Sequence, residues 1–143
     1  LEFRRVLFRS DPATELAKTC AGARILLAED NEINQEVATE ILRAVGLHVT
    51  VANDGREAVD LAAAQPFELI LMDMQMPRLD GPDATRRIRS HDGGADVPII
   101  AMTAHAMAGY ADLCRAGDMD GYVSKPLDHA RLRNEIARLA PAR

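Results

Sequence analysis

Four apolar runs in this chain each stop at a group able to do chemistry. Leu69-Ile70-Leu71-Met72 delivers Asp73, with Met74-Gln75-Met76-Pro77 breaking the run behind it. Ile25-Leu26-Leu27-Ala28 ends in the pair Glu29-Asp30, Ile99-Ile100-Ala101-Met102 ends in Thr103, and Val123-Ser124 ends in Lys125-Pro126. If these ends converge, three carboxylates share one place, and two like charges about 4 Å apart repel by roughly 4 kcal/mol at an effective dielectric near 20. Something positive must relieve them. Mg²⁺ suits the task, because it takes oxygen ligands, keeps several waters and needs only one or two carboxylates plus phosphate oxygens; Mn²⁺ is the alternative ion. Lys125 supplies a fixed positive charge on the opposite side, Thr103 a hydroxyl that can donate to a phosphoryl oxygen, and the small Ala104 leaves the approach open. An aspartate so surrounded can attack a phosphoryl group and become an aspartyl phosphate. Positioning and charge neutralisation then do most of the catalysis.

Convergence requires a particular scaffold. From Arg24 onward, apolar patterns of strand length alternate with patterns of helix length, as repeated βα units with a parallel sheet do. The candidate strands are 24–28, 48–52, 69–72, 99–102 and 121–124. The third and fourth are near-continuous apolar runs, as expected of strands covered on both faces, and belong in the middle. The expected fold is α/β: a five-stranded parallel sheet, doubly wound as (βα)5, in the flavodoxin-like order 2-1-3-4-5. Such sheets bind ligands outside the carboxyl ends of their strands, where Glu29, Asp30, Asp73, Thr103 and Lys125 all fall.

The helices are legible too. Ile33, Val37, Ile41 and Val45 recur at near-helical spacing, with Glu32, Glu36, Glu40 and Arg43 on other faces and Gly46 as the C-terminal stop. Asn53-Asp54-Gly55 makes a turn and cap before an Ala-rich helix that ends near Ala64, where Gln65-Pro66 closes it. Asp80-Gly81-Pro82 starts a third helix, with Ile88 inward and Arg86, Arg87 and Arg89 as a solvated face. Residues 91–96 form a Gly-rich polar loop. A helix over 106–116 presents a thin apolar face, Met107, Tyr110, Ala111, Leu113 and Cys114, so it is weakly held and able to shift. The last helix, 128–139, turns Leu132, Ile136 and Leu139 inward.

Composition removes several classes of function. The 143 residues, 48% of them hydrophobic, suffice for one real core. A net charge of −5 and a pI near 5.3 oppose the basic footprint of a nucleic-acid binder. Cys20 and Cys114 form no framework, and His48, His91, His105 and His129 lack zinc spacing, so surface or helix-end roles are the default for at least three of these histidines. No segment approaches the roughly 20 apolar residues of a spanning helix. Reduced, cytoplasmic residence without membrane contact is the expectation. Residues 1–22 read as foreign sequence, linker or the tail of a preceding domain, 23–140 as the functional domain, and 141–143 as a C-terminal tail.

Glu29-Asp30-Asn31, Leu71-Met72-Asp73-Met74-Gln75-Met76-Pro77, Met102-Thr103-Ala104 and Ser124-Lys125-Pro126 together resemble the receiver domains of two-component response regulators. The resemblance runs from about Arg24 to Leu139 with every motif in order. Ala28-Glu29-Asp30-Asn31-Glu32-Ile33-Asn34-Gln35 looks most like receivers attached to hybrid sensor histidine kinases. The resemblance implies that Asp73 takes phosphate from a histidine of a kinase or phosphotransfer domain. It further implies that Asp30, Asp73 and the backbone carbonyl of Gln75 ligate Mg²⁺, with Glu29 acting through water. Lys125 and Thr103 would contact the phosphoryl oxygens, Tyr122 would be the switch aromatic that turns inward as Thr103 moves, and the bond before Pro126 would be cis. The signal would leave through the surface of helix 106–116, the last strand and the last helix. A monomer is the default among open oligomeric states. Gln75 and His105 lie where they could tune how readily water attacks the phosphoaspartate.

Each residue taken singly has a duller explanation: Asp73 as a loop cap, Lys125 as a solvated strand end, Thr103 as a partner of a backbone carbonyl, Tyr122 as a core-edge aromatic. Their joint order and placement favour the shared site. A phosphatase of the haloacid-dehalogenase type would want an acid two residues after its nucleophile, where this chain has Gln75. A flavodoxin-like FMN binder would need a hydroxyl- and Gly-rich loop where Glu29-Asp30-Asn31-Glu32 stands, and no G-x-x-x-x-G-K-[ST] cradle for a triphosphate occurs. A receiver-like module that binds a partner without being phosphorylated is the remaining alternative.

Overall fold

A computed structural model of the chain describes residues 22–91, 96–103 and 119–139. Its five strands are β1 (Arg24–Ala28), β2 (His48–Ala52), β3 (Leu69–Asp73), β4 (Ile99–Thr103) and β5 (Gly121–Ser124). All pair in parallel, as the alternating pattern implies, in the order β2-β1-β3-β4-β5 of the expected flavodoxin-like fold. The described helices are α1 (Glu32–Ala44), α2 (Gly55–Ala64), α3 (Gly81–Arg89) and α4 (His129–Leu139). The expected helix over 106–116, His105, both cysteines, part of the 91–96 loop and the chain ends, including the 141–143 tail, lie outside the described residues.

Period-two alternation splits the sheet into two apolar faces. Ile25, Leu27, Leu69, Leu71, Ile100, Met102 and Val123 point to the side covered by α1 and α4, where Ile41, Leu42, Leu132 and Ile136 meet them. Leu26, Ala28, Ile70, Met72, Ile99 and Ala101 point to the other side, against Ala58 and Val59 of α2 and Ala84 and Ile88 of α3. Each Leu or Ile removed from water in these layers contributes about 1.5–3 kcal/mol. β3 lies at the centre with β1 and β4 beside it, and all five of its residues are buried. β3 and β4 each run one residue further than the apolar pattern suggests. Asp73 and Thr103 are therefore ladder residues, opposite Met102 and Ser124, held by the sheet rather than by a loop.

The helix starts lie just past the strands, and short polar side chains cap them. Asn31 Oδ1 accepts from the N–H of Ile33 and Asn34, at 2.9 and 3.1 Å, and Asp54 Oδ1 from that of Glu57, at 2.8 Å. Asp80 and Asp128 do the same for Asp83 and Arg131. Such caps stabilise by about 1 kcal/mol each. Gly46, at φ +86°, ends α1 in the left-handed conformation that a side chain resists.

Two expectations need correction. The stripe Ile33, Val37, Ile41, Val45 is not the buried face of α1: Ile33 is 71% exposed and Val37 37%, while Ala38, Ile41, Leu42 and Val45 are buried. A strict four-residue repeat advances about 400° per step on a helix of 3.6 residues per turn, so Ile33 and Val45 end about 120° apart. The second correction concerns Arg89, which is not part of a solvated face. Its guanidinium donates to the Val97 carbonyl and pairs with Asp120 at 2.8 Å, tying the end of α3 to the approach to β5. Arg86 and Arg87 are exposed as expected, and so are His48, His91 and His129.

Candidate functional site

Parallel register brings the charged strand ends to one level. Ala28 pairs with Met72, so Glu29 comes level with Asp73, and Thr103 pairs with Ser124, so Lys125 follows one residue above it. Main-chain bonds extend the sheet past its formal ends: Glu29 N–H donates to Ala52 O at 3.0 Å, Met74 N–H to Met102 O at 3.0 Å, and Lys125 N–H to Thr103 O at 2.6 Å. The Lys125–Pro126 peptide is cis.

Glu29, Asp30 and Asp73 each offer a carboxylate oxygen, and these oxygens lie within 4.8 Å of one another. Glu29 and Asp73 are buried, and Asp30 is exposed at the mouth. Lys125 Nζ stands 2.9 Å from Glu29 Oε2 and 3.0 Å from Asp73 Oδ2. The amine therefore rests directly on two of the three acids, and it supplies part of the relief their repulsion demands. Burial pulls the Lys125 ammonium towards its neutral form, but the hydrogen bonds and charges of Glu29 and Asp73 outweigh burial and raise its pKa above the ordinary lysine value. Backbone N–H groups hold the remaining oxygens: Asn31 donates to Glu29 Oε1 at 3.1 Å and Gln75 to Asp73 Oδ1 at 3.3 Å.

An all-carboxylate donor set, with one acid open to solvent, fits a hard divalent cation. Thr103 is buried at the end of β4, one residue past Met102, the ladder partner of Asp73, and Tyr122 on β5 is 40% exposed beside Ala101 of β4. The Gln75 side chain is exposed, on the loop between β3 and α3.

Several residues that shape this site escape a reading by residue type. Gln35 Nε2 donates to the Glu29 carbonyl at 2.6 Å and to Asn53 Oδ1 at 2.9 Å. A Cβ on Gly81 would run into the carbonyl of Asp73, and one on Gly55 into that of Leu79. Arg78 adopts φ 68°, a conformation that costs a non-glycine residue about 1–2 kcal/mol, and its Nε lies 3.8 Å from Asp54 Oδ2. The signals for these residues were the Asn53-Asp54-Gly55 and Asp80-Gly81-Pro82 turns and the stretch from Ala28 to Gln35, none of which tells what the side chains touch.

Residues 25–137 match the family model for the response regulator receiver domain. The chain is 35% identical over 130 residues to the signal transduction histidine-protein kinase BarA of Escherichia coli, covering 91% of this chain and 14% of that protein. The chain spans about 13–16% of the length of the curated histidine kinases it first matches. Among solved structures, the receiver domain of sensor histidine kinase PA1611 from Pseudomonas aeruginosa superposes with a TM-score of 0.77 at 44% identity, over 83% of this chain and 98% of that one, and it holds a magnesium ion in its active-site cleft. The receiver domain of the Saccharomyces cerevisiae response regulator Ssk1, crystallised with the histidine phosphotransfer protein Ypd1, gives a TM-score of 0.79 at 27% identity, over 86% and 92% of the two chains.

Proposed function

Because this chain belongs to the response regulator receiver domain family, we propose that Asp73 is its phosphoacceptor, loaded from a phosphohistidine on a histidine kinase or histidine phosphotransfer domain. A carboxylate oxygen of Asp73 attacks phosphorus, the P–N bond breaks, and the electron pair leaves on the imidazole, which takes up a proton. One observation carries the reading: Lys125 Nζ lies within 3.0 Å of both buried carboxylates at the end of the central strands. An amine there can follow negative charge from the acids onto the phosphoryl oxygens.

Asp30, Asp73 and the Gln75 backbone carbonyl would hold Mg²⁺, or Mn²⁺ in its place, with Glu29 acting through water; the ion supplies neutralisation of phosphoryl charge. Thr103 donates its hydroxyl to the phosphoryl group, and Tyr122 follows it inward. Gln75 and His105 tune the lifetime of the acyl phosphate, His105 lying outside the described residues. The output is a shift at the surface that includes β5 and α4, because a phosphate adding about −1.5 to −2 charge acts elsewhere only by biasing a two-state element. The domain is a signalling phosphoacceptor rather than a turnover enzyme, and cytoplasmic residence fits the reading. Among the described residues no helix is long and apolar enough to cross a membrane.

Ile33 and Val37 support a protein donor. Both are exposed on the first two turns of α1, directly after Asp30 and its Asn31 cap, and they offer apolar surface beside the pocket mouth.

Incubation with Mg²⁺ and phosphoramidate tests the reading. One base-labile phosphate per chain is expected, absent in Asp73→Asn. Rapid release of inorganic phosphate would point to a hydrolase, and no label at all to a binding module.

A further inference from the structure

Asp30 is the one acid of the three that the sheet does not hold. It lies beyond the end of β1, its side chain is exposed, and its carboxylate makes no ion pair or hydrogen bond among the described residues. Its position is therefore set by its own backbone, above all by the peptide that joins it to Glu29. That peptide is gripped from the side. Its carbonyl, on Glu29, accepts from Gln35 Nε2 at 2.6 Å, and the second hydrogen of the same amide goes to Asn53 Oδ1 at 2.9 Å. The Glu29 N–H is in turn bound to Ala52 O, the residue before Asn53. Gln35, Asn53 and the Glu29 backbone thus close a ring around the turn that presents Asp30.

Asn53 opens the β2–α2 turn, which contributes no acid to the metal cluster. The same turn reaches the loop after Asp73: Arg78 stands 3.8 Å from Asp54, and Gly55 packs against the Leu79 backbone so closely that no Cβ fits. It touches both loops that flank the candidate metal site.

We infer that Gln35 and Asn53 are positioning residues for the metal site: they form a brace from the β2–α2 turn to the Glu29–Asp30 peptide that presets Asp30 for Mg²⁺. The inference rests on the reading of Asp30 as a metal ligand. Groups that orient ligands in this way typically change metal affinity by about 10–100-fold when removed. Here the brace is half-exposed and acts through backbone, so the lower end of that range applies.

The test is Mg²⁺ titration of the whole chain, followed by calorimetry or NMR, with urea unfolding in the absence of Mg²⁺ measured alongside. Gln35→Ala and Asn53→Ala should each weaken Mg²⁺ binding about tenfold, with the metal-free urea midpoint close to that of the parent. The double variant should be hardly weaker than either single one, because both break the same linkage. Unchanged affinity in Gln35→Ala, or losses that add in full, would overturn the brace. Should Gln35→Ala unfold, Gln35→Met keeps the stem without the donors and must show the same loss. Asp30→Asn separates the two readings: if it leaves Mg²⁺ binding intact, the metal assignment fails and the brace falls with it. If Asp30→Asn loses binding while Gln35→Met does not, the brace alone fails.

Discussion

Lys125 Nζ lies 3.0 Å from Asp73 Oδ2 although their strands do not touch, since β4 stands between β3 and β5. The lysine reaches across the end of β4 to rest on the carboxylate and on Glu29 beyond it. The amine occupies the surroundings an incoming cation would share, and this has consequences that can be measured.

Replacing Lys125 with Met should separate metal binding from phosphoryl transfer. Removing the resident positive charge leaves Mg²⁺ with less competition, so its affinity should rise or hold. Labelling by phosphoramidate should fall by about 100-fold, the usual cost of removing one preorganised donor. A variant that loses both together would show that Lys125 only holds the pocket in shape.

The same contact fixes the sign of a pH effect. The folded chain binds the Lys125 proton more tightly than the unfolded chain, whose lysine has the ordinary value of 10.5. The stabilisation is thus complete below that value and disappears as pH climbs through the higher folded one. Urea midpoints of the parent and of Lys125→Met should differ by a constant amount from pH 8 upward, then converge above about 10.5. Convergence already near neutrality would contradict the raised value.

Gly81→Ala and Gly46→Ala offer a contrast between two kinds of cost. At Gly81 the new methyl has no room beside Asp73, whereas at Gly46 it meets nothing and only the left-handed backbone resists. Losses of about 2 kcal/mol and about 1 kcal/mol respectively are expected in equilibrium unfolding. The reverse order would argue against the steric account of Gly81.

Ile33→Asp should slow phosphoryl uptake from a protein phosphohistidine by about tenfold, since a central apolar contact is commonly worth more than 1 kcal/mol at an interface. Uptake from phosphoramidate should stay as it is, because Ile33 faces solvent and touches none of the chemistry. Equal slowing with both donors would remove α1 from the docking surface.

Thr85 is fully buried on α3 and its hydroxyl has no hydrogen-bond partner among the described residues. Thr85→Val keeps the shape and removes the unmet polar group, so stability should rise by about 0.5–1 kcal/mol. A loss on thermal unfolding would mean that the hydroxyl is satisfied in solution.

Local chemistry carried much of this molecule. Apolar runs of strand length identify β1, β3 and β4, because a strand covered on both faces tolerates little else, and alternation with helical patterns places the less buried edge strands β2 and β5. Asp54 and Asp80 announce helix starts through the N–H groups they cap. The motif residues Glu29, Asp30, Asp73, Thr103 and Lys125 could be named as one site because doubly wound topology sends every strand's carboxyl end to the same edge. Tertiary structure alone decided what depends on angles and on distant partners. It turned Ile33 and Val37 outward, since drift around a helix is set by where the sheet lies. It drew Arg89 inward to Asp120, and it joined Gln35 to Asn53 across two loops. It also set Lys125 directly against Glu29 and Asp73, because the reach of one flexible side chain over a neighbouring strand is a matter of three-dimensional spacing that no order of residues records.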